Sequence, residues 1–443
     1  MIGSALMESG YPDLLARISH THEESMIPAN RSRRSFLASL GALSAASLMP
    51  RSAFADGIRS EPDNFVRADR GIALNPEDFA FAPGLVYLQT GSLGPTPSPV
   101  MEHASAVWKQ LELNPAFFAY GELEHAMEAV RTKAATFMGC KTDEMVITTS
   151  TTDGMNRTAQ GLTFAAGDRV LTTDQEHPGG RVCWDYVARR YGVVLDVVAI
   201  SPNEHDAQAI IDSIAKAFTP RTRVLSFSHI LSSTGLRMPV AELSSLAKSH
   251  SCITVVDGAQ AVGSGPVDVK ALGCHVYATS GHKWLLGPPG TGLLYLSEEL
   301  GKTIDPIPLE SGRASYSASS GVSSIPSVLG LGAAIDYVSA IGLDRIEAHN
   351  LALRTRLYAS LKNVPKVRVV SAPPGPLASA LLSYTLPPNL QSGALHERLR
   401  DKHNIEVKVV PGNWFNGSRI STHLFNSEQD VDSLVAALNI ELA

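Results

Sequence analysis

Seven short aliphatic runs, spaced through the middle of the chain, limit its fold more than any other feature. They span 145–149, 170–173, 194–200, 224–227, 253–256, 276–278 and 293–296, and each is rich in Val, Ile or Leu. Most do not alternate with polar residues, which is how strands buried on both faces read. Stretches of helical character fill most gaps, such as 206–218 and 240–250. Strand then helix, repeated, builds a mainly parallel sheet with helices on both sides. The pattern changes near Ser324. Residues 326–341 are rich in Ala, Leu and Gly, and 344–361 have helical periodicity. Strands are expected at 368–371, 380–385 and 405–410, with helices at 393–402 and 428–438. These form a smaller α/β unit, and 56–87 is expected to pack beside it.

A chain of 443 residues with 44% hydrophobic and 18% charged residues can bury more than one core. The formal net charge of −6 and the lack of any Lys/Arg-rich run argue against a nucleic-acid partner. The cysteines Cys140, Cys183, Cys252 and Cys274 show neither CxxC nor Cys–His ligand spacing, so no metal site is expected. Cys252 and Cys274 border apolar runs, where a buried structural thiol is the natural reading.

The first 55 residues read as an address. Ser32-Arg33-Arg34-Ser35-Phe36-Leu37 is a twin-arginine pattern, residues 36–49 form a short apolar stretch, and Ala53-Phe54-Ala55 offers a peptidase site. The alternatives are a buried helix or a membrane anchor. The stretch is short of the roughly 20 apolar residues that span a bilayer. Export to the periplasm by the twin-arginine machinery is therefore expected, without a stable membrane anchor. That machinery moves folded proteins, and a cofactor loaded before export gives a physical reason to use it.

Ligands of open α/β sheets bind at the carboxyl ends of strands. Here those ends carry Ser150-Thr151-Thr152-Asp153, Glu176-His177-Pro178, Ser228-His229-Ile230-Leu231-Ser232, Asp257-Gly258-Ala259-Gln260 and Ser280-Gly281-His282-Lys283. Each cluster alone has a plain explanation as a cap, a turn or a surface group. Together they supply a lysine amine able to form a Schiff base, a carboxylate able to keep a pyridine nitrogen protonated, and hydroxyls at a helix start able to hold a phosphate. Pyridoxal phosphate (PLP) needs all three.

On these residues the chain resembles the class V aminotransferase family of fold type I PLP enzymes. That family includes cysteine desulfurases and isopenicillin N epimerase-like proteins. The likeness is carried by Ser280-Gly281-His282-Lys283 with Gly287-Pro288-Pro289-Gly290-Thr291-Gly292 behind it, and by Val255-Val256-Asp257-Gly258-Ala259-Gln260 upstream. It begins at Tyr87-Leu88-Gln89-Thr90-Gly91-Ser92-Leu93-Gly94-Pro95 and ends at Arg419-Ile420-Ser421-Thr422-His423-Leu424-Phe425-Asn426. It implies a seven-stranded, mainly parallel large domain over 89–323, a smaller C-terminal α/β domain over 324–443, and an arm over 56–88 after the signal peptide 1–55. It implies that Lys283 holds the cofactor aldehyde and moves the substrate α-proton, and that Asp257 pairs with the pyridinium. Gln260 and Ser232 would lie near the phenolic oxygen, and His177 would stack on the ring. Thr151, Thr152, Ser280 and His282 would bind phosphate, and Arg419 the substrate carboxylate, a task suited to guanidinium. Homodimers with a shared site follow from the same resemblance, with 319–323 in the region relatives use for it.

Two departures bear on the reaction. Desulfurases place a nucleophilic cysteine shortly before the Arg-x-Ser motif, whereas residues 409–418 contain none. Lys408 stands near a position where desulfurases have arginine, and Trp414 and Arg313 are further candidates for the pocket wall. The expected activity is on the α-amino group of an amino acid or an amino-acid-bearing peptide, transaminase-like or lyase-like. An epimerase or racemase outcome stays open, as does a non-catalytic amine-binding protein. Cysteine desulfuration is disfavoured.

Overall fold

The computed structural model describes residues 71–443, and the twin-arginine segment and residues up to 70 lie outside them. A short strand β1 (Val86–Tyr87) precedes the seven aliphatic runs. Each of these forms a strand: β2 (Met145–Thr148), β3 (Arg169–Thr173), β4 (Val194–Val198), β5 (Thr222–Ser228), β6 (Ile253–Asp257), β7 (Val276–Ser280) and β8 (Gly292–Leu296). They make one sheet in the order β2-β8-β7-β6-β5-β3-β4. Only β8 runs against its neighbours, so the fold is a mixed, mostly parallel α/β sheet.

Both faces of this sheet are buried, as the unbroken aliphatic runs require. Leu171, Leu225, Val256, Tyr277 and Leu293 belong to one core cluster. Their chain neighbours Val170, Val224, Val255, Val276 and Leu294 belong to another on the opposite face, following the two-residue period of a strand. Strand β4 departs from the reading. It ends at Val198 rather than at 200 and leaves Val194 and Val197 exposed. It is one of the sheet's two edge strands, so only one of its sides meets a neighbour.

A second sheet, in the order β12-β13-β10-β9, consists of β9 (Arg368–Val369), β10 (Leu381–Thr385), β12 (Lys408–Val409) and β13 (Gly417–Ser421). The expected strand over 405–410 is split. Its first part, β11 (Ile405–Glu406), pairs with β1, and its second part, β12, pairs with β13. One stretch thus serves two sheets, with Val407 buried between. Strand β13 was not legible as a strand, because Gly417, Ser418, Arg419 and Ser421 carry no aliphatic signal. Its central place, between β10 and β12, supplies the hydrogen bonds that hold it. Helices Leu343–Leu361, Ser392–His403 and Glu428–Leu442 pack Leu353, Leu357, Leu399 and Leu434 against this sheet's Leu382, Tyr384 and Ile420.

The chain ahead of the first large helix, Ser98–Leu113, ties the second sheet to the region around β7. Ser421 N–H donates to Leu88 O at 2.9 Å, and Gly94 N–H donates to His282 O at 2.8 Å. The helix Ile325–Ile341 is buried nearly all round and packs on Ser98–Leu113 and Glu122–Phe137. No single helix among the described residues is long and apolar enough to cross a membrane.

Gly258, directly after β6, gives a test of this packing. A Cβ there would sit 2.0 Å from Tyr277 Cε1, in the core. Overpacking of a core costs typically about 1–3 kcal/mol. Gly258→Ala is expected to destabilise the fold by about 1–3 kcal/mol, read as a lower midpoint in urea unfolding.

Candidate active site

Strands β6 and β7 are parallel neighbours, with Asp257 in register with Ala278. Asp257 ends β6, Ser280 ends β7, and Lys283 follows Ser280 by one turn. Parallel pairing therefore brings the carboxylate and the amine to the same edge of the sheet. Both line one cavity of about 350 Å³, within the range of small-molecule sites. The same cavity is lined by Thr151, Thr152, His177 and Ser232, and by Gln260, Ser280, His282 and Arg419. All ten residues singled out from the sequence thus meet in one place.

Two glycines permit the close packing this needs. A Cβ on Gly94 would lie 1.9 Å from Lys283 O, and one on Gly180 would lie 2.5 Å from Asp257 Oδ2. Neither position accepts a larger residue without moving the catalytic backbone or the carboxylate.

The electrostatics of Lys283 and Asp257 are linked. Burial pushes the Lys283 amine down to about 8, with Arg419 adding to the effect and Asp257 opposing it. Burial pushes the Asp257 carboxyl up, and Lys283 opposes that. Each charge is costly alone in this setting and more tolerable beside the other. Asp257 Oδ1 accepts from Ala259 N–H at 2.9 Å. Its Oδ2 makes no hydrogen bond among the described residues and is left for a ligand.

Helix Thr151–Gly161 begins at the cavity. Ser150 caps it by accepting from Asp153 N–H at 3.1 Å. Thr151 N–H donates to Ser280 Oγ at 3.0 Å, and the two hydroxyls stand 2.8 Å apart. A helix start pinned to a strand end, with hydroxyls around it, suits an anion. Across the cavity His177 caps helix Pro178–Tyr191, its Nδ1 accepting from Gly179 N–H at 3.1 Å. Partial desolvation, then the charges of Lys283, Arg419 and Lys408, push its pKa down to about 4. The ring is therefore neutral at pH 7, with its proton on Nε2, and its side chain remains exposed at the cavity.

Gln260 is oriented by a neighbour that can only donate. Trp284 Nε1–H gives its proton to Gln260 Oε1 at 2.8 Å. The Gln260 amide nitrogen donates to Gly91 O at 2.9 Å, which leaves its second N–H for a cavity ligand. Arg419 sits on β13, only 4% exposed. Its Nη1 donates to Ser232 O at 2.8 Å and its Nη2 to Ser92 Oγ at 3.2 Å. Among the described residues no carboxylate pairs with it, and burial lowers its pKa to about 10.

Three buried polar atoms of cavity-lining residues have no hydrogen-bond partner among the described residues: Ser232 Oγ, His282 Nδ1 and Arg419 Nε. Buried polar atoms are normally satisfied, each unmet one costing about 1–3 kcal/mol. Three around one cavity, beside a depressed amine and a free carboxylate oxygen, fit a polar, anionic, ring-bearing ligand. The phenolic oxygen and phosphate of PLP would suit Ser232 and His282, and a substrate carboxylate would suit Arg419.

The two further candidates divide. Trp414 lines the cavity. Arg313 does not. It donates to Asp143 O at 2.8 Å and Leu296 O at 3.1 Å, a structural clasp. Residues 320 and 321 line a different cavity, with Arg157 and Gly290. Glu176 was quoted in a strand-end cluster without a role. It accepts from Thr173 Oγ1 and Ser228 Oγ, both at 2.6 Å, and ties β3 to β5 beneath Asp257. Burial, with Asp257 adding a smaller push, raises its pKa to about 7. None of the four cysteines lines the cavity, and burial drives every one of their thiols up to about 12.

The family model described as Aminotransferase class-V matches residues 86–434. Isopenicillin N epimerase of Amycolatopsis lactamdurans is 31% identical over 390 residues, covering 82% of this chain and 96% of that one. Cysteine desulfurase of Salmonella newport is 29% identical over 385 residues, covering 80% and 92%. Among solved structures, a C-DES mutant with glycine covalently linked to the PLP cofactor superposes with a TM-score of 0.74. It shares 25% identity and covers 82% of this chain and 99% of that one.

The depressed amine of Lys283 sets a pH dependence for cofactor loading. The neutral amine is the nucleophile, and its fraction rises as pH climbs through about 8. Cofactor-free protein mixed with PLP is expected to develop the imine absorbance faster as pH rises from 6.5 to 8.5, then to level off. A free lysine would keep accelerating toward its ordinary value near 10.4. Gly180→Ala is expected to weaken PLP retention at least tenfold, read by equilibrium dialysis.

Proposed function

Because the chain belongs to the aminotransferase class-V family, a family of PLP-dependent enzymes, we propose that it is an exported enzyme acting on the α-amino group of an amino acid or an amino-acid-bearing peptide, transaminase-like or lyase-like. One observation carries this reading: Lys283, Asp257 and Arg419 line a single cavity, and among the described residues no carboxylate pairs with Arg419.

PLP, when bound, supplies an electron-withdrawing ring that stabilises negative charge at the substrate α-carbon. The protein's part is positional and protonic. Lys283 presents its Nζ as the point of attachment and afterwards as the base that takes and returns the α-proton. Asp257 would hold the ring nitrogen through Oδ2 and keep it protonated. His177 offers a neutral ring face for stacking. The spare N–H of Gln260 and the hydroxyl of Ser232 serve the phenolic oxygen. Thr151, Thr152, Ser280 and His282 hold the phosphate at the helix start. Arg419, already oriented by Ser232 and Ser92, takes the substrate carboxylate. Held in this way, the guanidinium would orient the substrate through its carboxylate.

A second reading, racemisation or epimerisation, is favoured by the 31% identity to an isopenicillin N epimerase. Desulfuration through a persulfide is disfavoured. The β12–β13 hairpin that closes the cavity holds Val410, Pro411 and Trp414 but no thiol. The proposal includes twin-arginine export to the periplasm, supported by the pattern around Arg33 and Arg34. It also includes a homodimer, the usual state of class-V PLP enzymes. Trp108, Phe117 and Tyr120 are more than half exposed and give apolar surface for a second copy.

Incubation of the PLP-loaded enzyme with single amino acids tests the reading, with keto acid, ammonia, sulfide and loss of optical rotation as readouts. Turnover of at least one substrate is expected. Lys283→Ala should lower it by about 10²–10⁴-fold, the range of general acid–base catalysis. No turnover with any amine by protein that retains PLP would remove the proposal.

A further inference from the structure

The hairpin β12–β13 sets two cations face to face. Lys408 and Arg419 are direct partners in antiparallel register, so their side chains share one face of the sheet. Directly opposed residues have Cβ atoms roughly 4.5–5.5 Å apart, and like charges there are destabilising. Among the described residues no acid relieves this pair. Lys408 makes no ion pair or hydrogen bond through its ammonium among the described residues, and Arg419 bonds only a carbonyl and a hydroxyl. The nearest acids by chain or contact are engaged elsewhere. Glu406 accepts from Gln89 at 2.6 Å and contacts His396 at 3.0 Å, and Asp174 accepts from Ile200 N–H at 2.9 Å.

Both cations line the active-site cavity. Among its fully charged groups, Lys283, Lys408 and Arg419 stand against Asp257 alone. This excess is local, in a chain whose formal charge is −6. Asp257 and Lys283 serve each other and the ring, and the helix start serves the phosphate. A substrate α-carboxylate then answers Arg419 and leaves one cation over. We propose that Lys408 is a specificity-determining residue: with Arg419 it selects an amino acid whose side chain carries a second anionic group. The inference rests on the proposed activity at the same site and names its substrate class. Trp414, on the same hairpin, donates to Asp174 O at 3.4 Å and closes the wall beside Lys408.

Acid and amide isosteres test it. The PLP-loaded enzyme is titrated with L-glutamate against L-glutamine and L-aspartate against L-asparagine, following the cofactor absorbance. The acid of at least one pair is expected to bind tenfold or more tightly than its amide at low salt, with the ratio shrinking as salt rises. Lys408→Gln should bring that ratio near one, and Lys408→Arg should retain it. Equal binding of acid and amide, or a ratio that survives Lys408→Gln, would overturn the proposal. A second arm needs no reaction: succinate against butyrate, read by thermal shift. Preference for succinate, lost in Lys408→Gln, supports the cation pair even if no amino acid changes the spectrum, an outcome that would sink only the proposed activity. No preference for succinate in the native protein counts against the pair itself.

Discussion

A half-buried amine that shares one cavity with a buried carboxylate is the constraint on which this structure turns. Neither charge of the Lys283–Asp257 pair would be comfortable alone at such depth. The fold places them together through one element of topology, the parallel adjacency of β6 and β7. That adjacency needs strands covered on both faces, and hence the unbroken Val, Ile and Leu runs that fill the two clusters flanking the sheet. The chemistry at the sheet edge and the packing beneath it are thus one arrangement.

The second sheet contributes what the first cannot. Arg419 and Lys408 come from a hairpin far along the chain, and both reach the cavity beside the strand ends of the large sheet. Arg419 is clasped by Ser232, which follows β5 of the large sheet, and by Ser92, in the segment between β1 and helix Ser98–Leu113. The wall bearing the ring-binding groups is therefore fixed by the parallel sheet, and the wall facing the substrate is set by the hairpin. Reaction type and substrate choice are accordingly expected to vary more with residues 408–419 than with residues 257–283.

Much of this was legible in the sequence, and for physical reasons. Aliphatic runs announce strands buried on both faces, and polar clusters just beyond them announce a site at the strand ends. That gathered nine of the ten candidate residues, because a parallel sheet brings such ends to one edge, whereas Arg419 lies on β13 of the second sheet and was legible only through the family resemblance. The misses are of other kinds. Strand β13 is built from Gly, Ser and Arg and is held by its partners rather than by its own side chains. Strand β4 looked fully covered, since composition does not show which strand lies at the edge. Arg313 proved to be a clasp on Asp143 and Leu296, because an arginine's composition is the same in a wall and in a brace. The orphaned atoms of Ser232, His282 and Arg419, and the Trp284 bond that orients Gln260, exist only once side chains have been placed in space.

The central claim is that the amine at position 283 is the one that captures the cofactor. Borohydride reduction of the PLP-loaded protein, followed by mass mapping of its peptides, tests this directly. The account predicts a single pyridoxyl adduct, on the peptide containing Lys283. An adduct on Lys408 or any other lysine, with Lys283 unmodified, would contradict it.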